Sequence, residues 1–172
     1  KRINVRPPSH VSSLDSGGVQ AVVAWEPNVT RALDKVKGSV LVARGGGYVC
    51  FCAAMHGQPD KVYGDRKRTQ KFVDAMAEAA HYVRDPKNAD EVAQIGSRFV
   101  RGMTAGLVKR TIKHVVYDAR IGGGTAAAFN ASVKLLIAQK KMKRPFDPAN
   151  YLDTSFIDST IKRHPEWFSD MK

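Results

Sequence analysis

Apolar runs alternate with a helical pattern in the first third of the chain. Residues 19–25 form an apolar run without amphipathic alternation, which is typical of a strand buried on both faces in a parallel sheet. The apolar spacing of residues 29–36 is helical, and a second apolar run follows at residues 40–43. This order predicts α/β architecture with parallel pairing. The predicted elements are strands at residues 3–5, 19–25, 40–43 and 48–54, and helices at residues 9–14 and 29–36.

The pattern becomes helical after about residue 55. Apolar side chains recur every three or four positions between residues 69 and 84, which predicts an amphipathic helix with Phe72, Met76 and Val83 on its apolar face. Asn88 and Glu91 resemble a capping box at the start of the next helix. The remaining predicted helices cover residues 88–100, 104–116, 126–140 and 155–163, the last of them capped by Asp153 or Thr154.

Composition is that of a globular protein with a strong basic excess. The 172 residues are 43% hydrophobic and 26% charged, and 28 Lys and Arg against 16 Asp and Glu give a formal net charge of +12. Such an excess favours anionic partners, including nucleic acid, anionic lipid and acidic small molecules. The basic residues are scattered and are not interleaved with the aromatic residues of a nucleic-acid-binding sheet. We therefore interpret most of them as a solvated surface and expect no nucleic-acid partner.

Cys50 and Cys52 are the two cysteines of the chain. In a strand they would lie on the same face, and their spacing disfavours a structural disulfide between them. No second pair of cysteines exists to complete a four-ligand zinc site. We interpret both as small buried apolar residues.

Other candidate chemistry in the sequence has a simpler explanation. The glycine runs 45–47 and 122–124 lack the Lys-Ser or Lys-Thr of a phosphate-binding loop, so we interpret them as turns. The five histidines show no metal-ligand spacing. Ser12 and Ser13 lie in no nucleophile elbow. The sequence thus predicts no catalytic residue, no metal and no cofactor.

Three segments in a fixed order resemble the substrate-binding proteins of the nitrate, sulfonate and taurine (thiamine-pyrimidine-like) family of ABC importers. The first is a short helix that ends in glycine, then a strand and a Trp-Glu-Pro turn. The second is a loop before a helix, with an Arg-Asp-Pro passage after that helix, and the third opens the final helix. In sequence these are residues 14–27 with Arg31-Ala32-Leu33, then residues 58–62 with 84–93, and last residues 151–157.

The resemblance implies a two-lobed periplasmic-binding-protein fold of the type II-like class, in which a sheet flanked by helices forms each lobe. On this mapping residues 1–44 end the second lobe. Residues 45–172 return across the hinge to the first lobe and finish in carboxy-terminal helices. Much of both lobes has no counterpart here, so we expect a missing amino-terminal half or a partner chain to complete the fold. The chain also begins directly in strand-like sequence, which suggests a removed leader or a start within a larger protein.

The function implied by the resemblance is that of an extracytoplasmic receptor, without enzymatic activity. It would capture a small anionic, sulfonate-, nitrate- or pyrimidine-like ligand in the cleft between the lobes. Hinge closure around the ligand would then be recognised by an ABC permease in the membrane.

The candidate ligand-binding residues are Trp25, Glu26 and Asn28. Ligands of open parallel sheets collect beyond the carboxyl ends of strands, where this turn is predicted. Pro27 in the first helical turn would leave backbone N–H groups free for an anion or polar group. Trp25 would supply a flat apolar wall, and Glu26 would accept hydrogen bonds from a substrate amine or hold a cation. The alternative is that Trp25 fills the core and Glu26 only caps the helix.

Two other functions remain open from the sequence. A basic interaction protein would bind nucleic acid or an acidic partner through the net charge of +12. An enzyme similar to the pyrimidine synthase of the same superfamily would need a lysine for the aldehyde of pyridoxal phosphate, a histidine and a metal-linked cysteine cluster. Only Cys50 and Cys52 are present for such a cluster.

Overall fold

A computed structural model describes the protein. Its chain folds into two compact units. The described residues are 3–44, 54–121 and 124–171. The first unit contains residues 1–44 and 82–117, and the second contains residues 45–81 and 118–172.

Helices are the regular elements of the described residues. Four short 3-10 helices accompany them at Pro7–Ser9, Pro86–Asn88, Pro148–Tyr151 and Pro165–Phe168. The α-helices are α1 (His10–Asp15), α2 (Asn28–Lys35), α3 (Pro59–Gly64), α4 (Arg66–Arg84), α5 (Ala89–Phe99), α6 (Ala105–Ile112), α7 (Gly124–Ala138) and α8 (Ser155–Arg163).

The predicted α/β fold with a sheet in each lobe is wrong, because the described residues contain no β-strand. The runs predicted as buried strands expose their apolar side chains: Val23 is 96% exposed and Val42 is 89% exposed. An apolar run can become a strand only where another strand supplies the partners for its backbone N–H and C=O groups. That pairing is not encoded in the run itself. The predicted strand 48–54 lies outside the described residues except for Ala54.

Helices α5 and α6 pack closely in the first unit. Val92 and Ala93 of α5 and Leu107 and Val108 of α6 are buried. Gly96 allows this approach, since a Cβ there would lie 3.0 Å from a methyl group of Val108. Helix α6 also contacts α2, and α2 contacts α1. The pair α5–α6 is therefore the support on which α2 is positioned.

The core of the second unit is formed by α4, α8 and the last 3-10 helix. Its buried residues are Val73, Ala77, Phe156, Ile157 and Phe168. Helix α4 was correctly predicted, but its predicted apolar face was wrong. Phe72 is 57% exposed and Met76 is 43% exposed. The larger side chains alone did not identify the face that meets α8.

The helix boundaries follow the predictions closely in the last segment. Helix α8 covers the predicted residues, and Asp153 accepts a hydrogen bond from the backbone N–H of Ser155 at 2.8 Å. The predicted capping box of α5 is wrong, since the side chain of Asn88 donates to the carbonyl oxygen of Tyr82 instead. Helix α3 was not predicted. Proline at its first position is favourable for a helix start, which could have indicated it.

Candidate functional site

Trp25 lies in a tight turn before α2 and keeps most of its side chain accessible. Its carbonyl oxygen accepts a hydrogen bond from the backbone N–H of Asn28 at 2.9 Å. The indole is 61% exposed and meets the buried His10 ring edge-on, with 6.4 Å between ring centroids. Trp25 therefore does not fill the core of the described unit, and its indole has a free surface for contact with a solute.

Glu26 joins the turn to two other parts of the first unit. Its Oε2 atom accepts hydrogen bonds from the backbone N–H of Thr30 at 3.1 Å and from the Thr30 hydroxyl at 2.8 Å. Its Oε1 atom accepts a hydrogen bond from Nη1 of Arg44 at 3.1 Å, and only 8% of the Glu26 side chain is exposed. The carboxylate is thus fixed by three donors.

The electrostatic state of Glu26 follows from these contacts. Burial raises the pKa of the Glu26 carboxyl group, but the hydrogen bonds from Thr30 and Arg44 outweigh burial, so the pKa lies below its ordinary value. Glu26 is therefore ionised at neutral pH and caps the start of α2, which is the role that the alternative interpretation of the sequence gave it. Both of its carboxylate oxygens already accept hydrogen bonds from donors within the unit.

The start of α2 offers fewer free backbone N–H groups than the sequence suggested. Pro27 is the N-cap and Asn28 the first helical residue. The N–H of Asn28 donates to Trp25 and that of Thr30 donates to Glu26. Asn28 itself is half-buried. The helix start alone is thus not the anion-binding element of this unit.

A cavity of about 280 Å³ lies in the same unit, on the face of α2 that carries Thr30, Leu33 and Asp34. Positions 30, 33 and 34 share this face because helical neighbours lie three and four residues apart. Four of the lining residues are basic. The complete lining is Thr30, Leu33, Asp34, Arg44, Arg110, Lys113 and His114, and we call this cavity the basic pocket.

The cations of the basic pocket differ in how far they are neutralised. Arg44 pairs with Glu26, and Arg110 pairs with Asp34. The Arg110 and Asp34 side chains are about half exposed, so this second pair is partly screened by water. In the part of the chain that the structure describes, Lys113 takes part in no ion pair. The pocket therefore retains a positive charge that is available to a ligand.

The structure brings together two predicted site residues and a pocket that the sequence did not indicate. Glu26 contacts Thr30 and Arg44, and both line the basic pocket, so the Trp25 turn and the pocket adjoin. Arg110 and Lys113 had been interpreted as part of a solvated face. Their spacing of three residues places them on one side of α6 and its end. This spacing was the only local signal in the sequence that the two residues belong to a common site.

Several other sequence features fall on residues that are not described. Cys50, Cys52 and the glycine run 45–47 lie outside the described residues, as do Gly122 and Gly123. Within the described ranges, no group of three or more His, Cys, Asp or Glu side chains is placed to hold a metal ion. No described helix combines the length and apolar character needed to cross a membrane.

Comparison with known proteins identifies the class to which this chain belongs. Residues 1–97 match the NMT1-like family, and this range includes the Trp25 turn, α2 and Arg44. The match covers more than half of the 172 residues. The class is that of solute-binding proteins related to the nitrate, sulfonate and taurine receptors, whose members are typically extracytoplasmic binding proteins. The chain belongs to the NMT1-like family. No curated protein and no solved structure matches it.

Proposed function

We propose that the protein is a receptor that captures a small anionic solute and presents it to an ABC importer. Membership of the NMT1-like family supports a solute-binding role. The observation that carries the anionic part of the proposal is the junction of the exposed Trp25 turn with the basic pocket through Glu26. An aromatic wall beside fixed cations is a combination suited to a small organic anion.

Each proposed ligand-binding residue has a distinct part in this scheme. Trp25 provides the flat apolar surface, and the Asn28 side-chain amide provides a polar group at the start of α2. Glu26 fixes the turn and holds Arg44, because its own oxygens already accept three hydrogen bonds. Glu26 thus acts on the solute through Arg44, and a contact with the ligand is not required of it.

Transport would use binding alone, without a chemical step. A ligand that binds one conformation of a receptor more tightly shifts the population toward it, and a permease can distinguish that conformation from the empty one. The energy available for this shift is the difference in affinity between the two conformations. We propose an extracytoplasmic location, since the solute must be met before it crosses the membrane.

Calorimetric titration with small anions tests this function. The panel is the anions nitrate, bicarbonate, ethanesulfonate and butyrate and the zwitterion taurine, with propylammonium as a cationic control of similar size. We expect saturable binding of at least one anion and none of the cation. Trp25→Ala should weaken that binding at least about tenfold, the effect of losing a favourable aromatic contact. Wild-type protein that binds no member of the panel would contradict the proposal.

A further inference from the structure

The basic pocket contains cations that come from distant parts of the sequence. Arg44 follows α2, whereas Arg110 and Lys113 belong to α6 and its C-cap. Packing of α2 on α6 brings these groups around one cavity. Concentrating positive side chains in this way costs electrostatic free energy unless carboxylates or a bound anion neutralise them.

Two carboxylates neutralise part of the charge and also fix the arginines. Glu26 holds Arg44, and Asp34 holds Arg110. A guanidinium has five N–H donors, so each arginine retains donors after its pairing. Three cations face two carboxylates, and Lys113 is the cation without an ion pair among the described residues. The pocket is therefore one negative charge short of balance.

The size and the walls of the pocket indicate what kind of anion would fit. The volume of about 280 Å³ approaches the lower end of the roughly 300–1,000 Å³ typical of ligand sites. Leu33, which is 41% exposed, contributes an apolar surface to the pocket.

We infer that the basic pocket binds the oxyanion group of a small organic monoanion, with Lys113 and Arg44 as the residues that recognise its charge. The apolar part of the ligand lies toward Leu33 and reaches the adjoining Trp25 turn, and the Thr30 hydroxyl and Arg110 complete the polar lining. This inference rests on the proposed function, because it assigns the charge-recognising residues of the same solute. None of the three residues predicted from the sequence lines this pocket.

Substitution of one lysine, with a second lysine as a matched control, tests the assignment. Lys113→Met removes the unpaired cation of the pocket. Lys109→Met removes a cation from the same end of α6 that pairs with Asp90 and does not line the pocket. Both variants change the net charge equally and conserve much of the side-chain length. Circular dichroism and the thermal midpoint of each variant establish that both remain folded.

Ethanesulfonate and butyrate serve as the sulfonate and carboxylate probes in calorimetric titrations of the 172-residue chain. We expect Lys113→Met to weaken the binding of the better probe about tenfold, the cost of losing a charge-assisted hydrogen bond. Lys109→Met should leave the affinity within twofold. Arg44→Gln should also weaken binding by about tenfold.

The remaining outcomes overturn the inference in distinguishable ways. If both lysine variants bind as wild type while Trp25→Ala does not, the solute binds at the turn and the pocket assignment fails alone. If both lysine variants weaken binding equally, the effect is one of general charge and the pocket is not the site. If the wild-type chain binds neither probe, the pocket assignment fails, and the rest of the anion panel then decides whether the proposed function fails with it.

Discussion

Arg44 and Glu26 are joined by a hydrogen-bonded ion pair of 3.1 Å across 18 residues of sequence. Glu26 belongs to the turn before α2, and Arg44 lines the basic pocket. The same carboxylate also holds Thr30 in the first turn of α2. One mostly buried side chain thus fixes the turn, the helix start and a pocket cation together.

Replacing Glu26 should destabilise the first unit. Glu26→Gln removes the negative charge that pairs with Arg44, and we expect a loss of about 1–2 kcal/mol in the free energy of unfolding at pH 7. Denaturant unfolding followed by Trp25 fluorescence in a Trp167→Phe background reports on this unit. The matched control is Asp34→Asn, whose pair with Arg110 is about half exposed and should contribute less than about 1 kcal/mol. Equal losses in the two variants would argue against Glu26 as the central contact.

The substitution Gly96→Ala, with Gly106→Ala as its control, tests the packing of α5 on α6. A Cβ at position 96 would lie 3.0 and 3.1 Å from the two methyl groups of Val108, which is buried and β-branched and so cannot rotate away freely. Overpacking should cost about 1–3 kcal/mol and exceed the gain in helix propensity of roughly 1 kcal/mol.

Gly106→Ala provides the control for that substitution. The nearest atom to a Cβ at position 106 belongs to the flexible Arg110 side chain, at 3.9 Å. We therefore expect Gly106→Ala to be neutral or to stabilise by up to about 1 kcal/mol. Thermal unfolding of both variants gives the comparison, and a stabilising Gly96→Ala would show that the interface is looser than described.

Asp74 makes the second unit sensitive to acid. Burial raises the pKa of its carboxyl group, but hydrogen bonds from Arg163, Thr160 and Gln70 outweigh burial and lower the pKa from 3.8 to about 2. A depressed pKa means that the stabilisation is present above about pH 4 and is lost as the pH falls toward 2. It amounts to about 2 kcal/mol at neutral pH.

Asp74→Asn should therefore lower the free energy of unfolding by about 2 kcal/mol at pH 7, and this difference from wild type should shrink between pH 4 and pH 2. Trp167 fluorescence in a Trp25→Phe background follows the unit that contains Asp74. A difference that stays constant down to pH 2 would mean that the ionised form of Asp74 is not the stabilising one.

Thr160 is completely buried and connects the same network to the core. Its hydroxyl group donates to Asp74 at 2.6 Å, and Gln70 donates to it at 3.0 Å. Thr160→Val conserves the shape but removes the hydroxyl, which should cost about 1–3 kcal/mol because buried partners lose a hydrogen bond. Thr154→Val is the control, since the exposed Thr154 makes no side-chain cap bond to α8. Similar losses of stability in the two variants would show that the hydrogen-bond network of Thr160 is not the cause of the loss.

Local signals were sufficient for most helices. Helix α8 was predicted with its observed bounds, because Asp153 and the apolar spacing after it act within a few residues. The face of α4 was wrong because burial depends on which residues meet α8. Val73 and Ala77 make that contact, although Phe72 and Met76 are larger. Choosing the face requires tertiary contacts that a single helix does not contain.

Features that join distant segments could not be predicted in the same way. The strands predicted at residues 19–25 and 40–43 required partners, and the described residues provide none. The basic pocket unites Arg44 with Lys113 across 69 residues, and neither position carries a motif. Trp25 and Glu26 could be chosen as candidates because a turn between a run of apolar residues and a helix is a local pattern, and their part in ligand binding stays a prediction. The division of the chain at residues 44 and 45 into parts of two lobes stays a prediction.

The most direct test of a solute receptor with an anion-binding pocket is amide and side-chain chemical-shift mapping by NMR during a titration with ethanesulfonate. We expect saturable shifts at the Trp25 indole N–H, the Asn28 side-chain amide and the backbone of Lys113, all with one dissociation constant. Shifts spread evenly over the basic surface and still linear at the highest concentration, or no shift at these three residues, would contradict this expectation.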